Sequence, residues 1–305
     1  MSAPTTGAGG VTGSTAPKAP TWAPGETWRI VLSMTLICAA GAAILGGVYL
    51  GTERYAEASR QRNERAAVED LLSLGPGATV AEIRQYLSPE RDAVIYRTGG
   101  AAENASTESA AAAHEFVFAL DGTLLRSGDV APATSEVKGL LPLGRIFAAT
   151  RAGAPAGFVV EGEARGYKNR IRFFVALDGD WRIAGVRVVE HEEDPGLGAE
   201  VATDWFQGQY AGRTMEDVVN MDVTKDPMPE DWRGALRRRG AVDGREWAEQ
   251  FGTLQSREAG HPIYAVTGAT ISSQALTDGV RATILHFRRR WALLEPHLHA
   301  AAGGE

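Results

Sequence analysis

The chain has 305 residues, an apolar fraction of 44% and a net charge of −7, values that fit a globular protein of one or two domains with one membrane segment. The acidic balance, with no RNA- or DNA-binding pattern, excludes a general nucleic-acid binder. The single cysteine, Cys38, lies in an apolar run, so disulfides, CxxC redox pairs and cysteine-ligated clusters within this chain are excluded and redox chemistry would need a non-thiol cofactor.

Met1 to Pro24 is rich in Ala, Gly, Pro, Ser and Thr and has no acidic residue, which predicts a flexible tail. Ile30 to Gly51 carries no charge and is long enough to cross a hydrocarbon core of roughly 30 Å. Trp28 and Tyr49 flank it as interfacial aromatics do. The run is too long for a signal peptide and the tail lacks a basic n-region, so a single uncleaved anchor is expected. Lys18 and Arg29 precede the span, whereas Arg54, Arg60, Arg62 and Arg65 follow it. Charge alone would therefore keep the large domain cytoplasmic. The interleaved Glu53, Glu57, Glu64, Glu69 and Asp70 read as a solvated helix face.

Thr52 to Leu74 has apolar or small residues at Tyr55, Ala58, Ala66, Val68, Leu71 and Leu72 and is predicted to be a helical stalk, ended by Gly75-Pro76-Gly77. A short helix is expected over Val80 to Leu87, a strand over Arg91 to Tyr96, and a low-complexity loop over Gly99 to Ala113. Strand signals follow at Glu115 to Leu120, Ile146 to Thr150, Ala156 to Glu161, Arg172 to Leu177 and Trp181 to Glu190, with turns at Asp121-Gly122 and Asp178-Gly179-Asp180. They form an antiparallel meander. Helices are expected at Ala202 to Tyr210, at Gly244 to Phe251 and from Ser273 to about Leu294, the last with Leu276, Val280, Ile284, Phe287, Trp291 and Leu294 on one face. The fold class is α+β, an antiparallel sheet packed by helices behind one transmembrane helix. The expected segments are a tail (1–29), a span (30–51), a stalk and connecting region (52–110) and a ligand-binding domain (111–298).

Thr267-Gly268-Ala269-Thr270 precedes the last helix. A hydroxyl on Thr270 then stands at a helix N-terminus, where free N–H groups and the helix dipole favour a phosphate. Gly268 and Ala269 permit close approach of backbone or ligand, and Ser272 and Ser273 are available to cap the helix or to donate to phosphate oxygens. Two further segments lie upstream, Gly166-Tyr167-Lys168-Asn169-Arg170-Ile171 and His191-Glu192-Glu193-Asp194-Pro195-Gly196-Leu197-Gly198.

Together these segments resemble the FMN-binding subunits of membrane redox pumps, the G subunit of the Rnf complex and the C subunit of the sodium-pumping NADH:quinone oxidoreductase (Nqr). Those families carry D-x-x-S/T-G-A-T, H-x-E-T-P-G-L-G and G-Y-G-G-P-I. The present chain has Tyr264 in place of the aspartate, Asp194 in place of threonine, and Lys168-Asn169-Arg170 in place of Gly-Gly-Pro. The resemblance implies FMN held to Thr270 through a phosphoester made by a separate flavin transferase. Thr267, Gly268, Ala269 and Ile271 would shape the loop around the phosphate and ribityl chain. Gly196, Leu197 and Gly198 would form a tight loop against the ring, with Glu193 bonding the cofactor or its loop, and Tyr167 or Trp205 stacking on it. Restoring the aspartate with Tyr264→Asp would leave attachment unchanged or raise it.

His191 reads as structural or exposed rather than as a metal ligand, and Arg237-Arg238-Arg239 as a solvated patch. No metal site is expected. The implied function is electron transfer within a redox-driven ion pump, in company with other membrane subunits, at a bacterial inner membrane with the flavin domain periplasmic. Rnf-type membership leads, the Nqr C subunit is the alternative within the class, and a flavin-free anchored scaffold is the alternative outside it. A stand-alone enzyme is disfavoured by the lack of a nicotinamide fingerprint or nucleophile–base pattern.

Overall fold

Alternation of apolar side chains at period two builds the central element. The computed structural model describes residues 24–72, 78–99, 113–130, 139–151, 154–239, 242 and 244–302. The expected tail before Pro24 and most of the Gly99 to Ala113 loop lie outside the described residues. Among the described residues eight strands form one antiparallel sheet: β1 (Ala78–Ser88), β2 (Ala93–Thr98), β3 (Ala113–Ala119), β4 (Leu124–Val130), β5 (Leu141–Arg151), β6 (Ala154–Arg165), β7 (Arg170–Asp178) and β8 (Ile183–His191). Their order is β4-β3-β2-β1-β5-β6-β7-β8.

The expected helix over Val80 to Leu87 is instead β1. It lies between β2 and β5, with Ile83 and Gln85 buried and Arg84 exposed. Pairing on both sides overrides a local pattern that fits either period. β1 and β2 belong to the segment 52–110, so the sheet draws on residues upstream of 111.

In β7 the two faces separate cleanly. Ile171, Phe173, Val175 and Leu177 join one cluster with the last helix, α6 (Thr270–Ala302). The expected stripe of α6 is fully realised there, since Leu276, Val280, Ile284 and Phe287 are 0% exposed and Trp291 and Leu294 nearly so. Each such side chain contributes about 1.5–3 kcal/mol of burial. Phe174 and Ala176 of β7 face the other way and pack with Val68, Leu71 and Leu72.

Those three residues close α1 (Pro24–Leu72), which contains the apolar stretch Trp28–Thr52, 25 residues of mean hydropathy 2.1 and wholly exposed. The chain divides into two units at Gln61 and Arg62. Within the second unit Glu64 is buried, not solvated as expected. Its carboxylate meets Arg145 at 2.8 Å and Arg172 at 3.3 Å, and Glu161 meets the same arginines at 2.8 and 2.6 Å. Burial opposes charge on Glu161, but the two guanidinium groups outweigh it and hold the carboxyl below its usual range.

After β8 the chain forms short helical turns where one helix is expected over Ala202 to Tyr210. These are 3-10 turns at Gly198–Ala202 and Gly208–Tyr210 around α2 (Asp204–Gln207). Then come α3 (Met215–Val219), β9 (Val223–Thr224), α4 (Glu230–Arg238), α5 (Gly244–Glu258) and β10 (Ile263–Tyr264), which pairs in parallel with β9. Thr214 and Asp217 start α3 with a reciprocal capping box.

Candidate functional site

One carboxylate gathers the three sequence segments. Glu193 follows β8 and is only 5% exposed. It accepts from the backbone N–H groups of Tyr167 (3.2 Å), Lys168 (2.9 Å) and Asn169 (3.2 Å) in the β6–β7 turn. The hydroxyl of Ser272, in the first turn of α6, donates to it as well. Burial pushes its pKa upward, but the Ser272 hydroxyl and the three N–H groups prevail and hold the carboxyl below its ordinary range. Glu193 is therefore a buried clamp between the β6–β7 turn and the first turn of α6.

The glycines around this clamp differ in what they require. A Cβ on Gly166 would collide with the Glu193 carboxylate, and one on Gly198 would stand 2.5 Å from Glu193 Oε2 and 2.8 Å from Ser272 Oγ. Gly198 is buried behind the clamp. Gly196 has open space around it, and its constraint is a φ of +74°.

The loop before α6 is closed by Ser273, whose Oγ donates to Ala269 O and accepts from Val266 N–H, both at 3.0 Å. Gly268 takes φ +81°, and a Cβ there would lie 3.1 Å from Leu197 Cδ2, so the second and third segments touch. Ser272 and Ser273, open in sequence to capping the helix or to donating to a phosphate, are both buried and already committed. Thr270 opens α6 and is half-buried. Among the described residues its hydroxyl has no hydrogen-bond partner. Ala269 is buried, while Thr267 and Gly268 are exposed.

A cavity of about 580 Å³ opens beside this loop, lined by Thr267, Gly268, Thr270 and Gly196 together with Trp205, Met228, Lys225, Arg233 and Arg237. Arg237, read as part of a solvated patch, thus faces the same space as Thr270. Arg233 and Arg237 are four residues apart on α4, a spacing that puts both on one helix face. Acidic Glu230 and Asp231 followed by basic Arg237 and Arg238 is a readable helix signal. Tyr167, Leu197 and Ile271 are 69%, 48% and 60% exposed and do not line the cavity.

Tyr264 also lines it. Its N–H donates to Gln209 Oε1 at 2.8 Å, and its hydroxyl donates to Glu258 Oε2 at 3.1 Å. Burial, then the Glu258 charge, pushes this phenol up to about 12. His191 ends β8 half-buried, with Nδ1 enclosed and without a hydrogen-bond partner among the described residues.

Residues 166–285, which contain all three segments, match the family described as FMN-binding domain. The G subunit of the ion-translocating oxidoreductase complex of Pseudoalteromonas atlantica is 33% identical over 147 residues, 47% of this chain and 54% of that protein. The G subunit of the Na(+)-translocating ferredoxin:NAD(+) oxidoreductase complex of Acetobacterium woodii is 25% identical over 194 residues, 62% of this chain and 79% of that one. The crystal structure of Shewanella oneidensis NqrC aligns with a TM-score of 0.46 at 16% identity, covering 78% of this chain and 99% of that one. Against the Pseudoalteromonas protein and its like, this chain spans little more than half of the relative's length.

Proposed function

We propose that this chain is a membrane-anchored electron-transfer subunit that carries FMN as a phosphoester on Thr270 within an ion-translocating ferredoxin:NAD-type complex. The observation that carries this reading is the contrast among the hydroxyls of the loop. Ser272 and Ser273 are buried and bonded, whereas the Thr270 hydroxyl, without a partner among the described residues, stands at the N-terminus of α6 beside a cavity.

The residues fit the group. The first turn of α6 offers free N–H groups and a positive dipole end to a phosphate. Gly268, held at positive φ, keeps the loop open to a ligand chain. Trp205 and Met228 offer an aromatic and a thioether wall. Bound FMN supplies one- and two-electron redox chemistry. Glu193 holds the three segments in register, so the Thr270 hydroxyl keeps one position relative to the cavity. Covalent attachment suits a carrier, because a tethered cofactor is not lost and stays at fixed range from its partners.

In this reading 30–51, within α1, is the span and 111–298 is the FMN-binding domain, with β1 and β2 from the segment 52–110 completing that domain's sheet. A flavin transferase matures it, other membrane subunits exchange electrons with it, and the domain is periplasmic. The test is co-expression with a flavin transferase followed by a denaturing gel. Wild type and Thr270→Ser should fluoresce and Thr270→Ala should not. A fluorescent Thr270→Ala band would contradict the assignment.

A further inference from the structure

Three cations line the cavity beside Thr270, and the attachment chemistry leaves them without a role. Arg233 and Arg237 come from one face of α4, and Lys225 follows β9. Among the described residues Lys225 and Arg237 have neither an ion pair nor a hydrogen bond, and Arg233 stands 3.6 Å from Glu230. Two carboxylates share the cavity, Glu200 and Asp226, the latter accepting from the Thr224 hydroxyl at 2.8 Å. Tyr264 stands where the resembling motif has an aspartate. Here Tyr264 brings to the cavity a phenol bonded to Glu258.

Three cations against two carboxylates leave the cavity lining net positive, in the same space that Thr270 lines. Resting on the covalent-FMN reading, we propose that Lys225, Arg233 and Arg237 stabilise the negative charge the flavin ring gains on reduction and so raise its reduction potential. The balance is simple. The oxidised ring takes up two electrons and one proton and is left with one negative charge, which nearby cations favour. These side chains touch no reacting atom in this account and act through the field they set up at the ring.

The test uses full-length flavinylated protein in detergent, titrated with dithionite as reductant against a reference dye. Arg233→Gln/Arg237→Gln should keep its flavin but show a lower midpoint at low salt. At a fixed dye ratio its oxidised-to-reduced flavin ratio should rise about three- to tenfold, as expected for the loss of two partly exposed charges. The gap from wild type should close at high salt, because mobile ions screen such pairs. Lys225→Gln and Arg237→Gln alone should shift the midpoint the same way by less, and they carry the test if the double variant does not fold. Attached flavin with an unchanged midpoint in these variants would overturn the proposal. Wild-type protein without gel fluorescence after co-expression would instead overturn the covalent reading beneath it.

Discussion

Glu193 shows how much of this site depends on one buried acid. Glu193→Ala would leave three N–H groups and the Ser272 hydroxyl unpaired, a loss expected to cost about 2–4 kcal/mol in urea unfolding. The pH dependence has a definite sign. A carboxyl held below its unfolded value stabilises the fold above that value, roughly pH 4.3, and ceases to do so as pH falls through the folded value. Wild type should therefore lose stability on acidification more steeply than Glu193→Gln, as monitored by thermal unfolding from pH 6 down. The glycines divide by mechanism. Gly196→Ala meets open space and should cost only its backbone strain, about 1–2 kcal/mol. Gly198→Ala drives a methyl into Glu193 and Ser272 and should cost more. Equal unfolding midpoints for the two would refute this division. Tyr264→Asp no longer reads as a neutral restoration of the family residue. It would bury a carboxylate near Glu258 and vacate a packed site, so reduced stability is expected alongside any effect on attachment.

α6 couples the site to the core, and its sequence announced it. The stripe from Leu276 to Leu294 repeats at three and four residues, and all six positions are buried. Phe287→Ala should cost about 3–5 kcal/mol, read by chemical denaturation, while exposed Leu293→Ala should cost little. The strands from β5 to β8 were legible for the same reason, a period of two with turn residues between. β1 was not legible, because its burial comes from neighbours far along the chain, Ile83 pairing with Ile146 on one side and Thr98 on the other. The motifs located Thr270, Glu193 and the glycines, but not their division of labour. That Ser272 serves Glu193 and Ser273 closes its own loop depends on contacts spanning 79 and 7 residues, respectively. The place of the α4 cations at the cavity is not legible in sequence, because a run of arginines looks the same in solvent as against a cavity. Only the return of α4 toward the loop before α6 distinguishes the two.

For the whole molecule, an apolar helix of membrane length stands alongside residues 166–285 that match the FMN-binding domain family, and under the proposed function the two make a tethered carrier. The tether would hold the cofactor within reach of partner subunits without a large interface of its own. Orientation sets charge against kinship, since four arginines follow the span closely. The periplasmic assignment predicts that protease added to spheroplasts digests the chain beyond Tyr55, and full protection of the domain would reverse it. The proposed function stands or falls on a phosphoester at Thr270. Protein co-expressed with a flavin transferase should yield, after proteolysis, a Thr270-containing peptide heavier by one FMN less one water, by mass spectrometry. The same peptide at its unmodified mass, with the flavin mass on another residue or absent, would contradict the account.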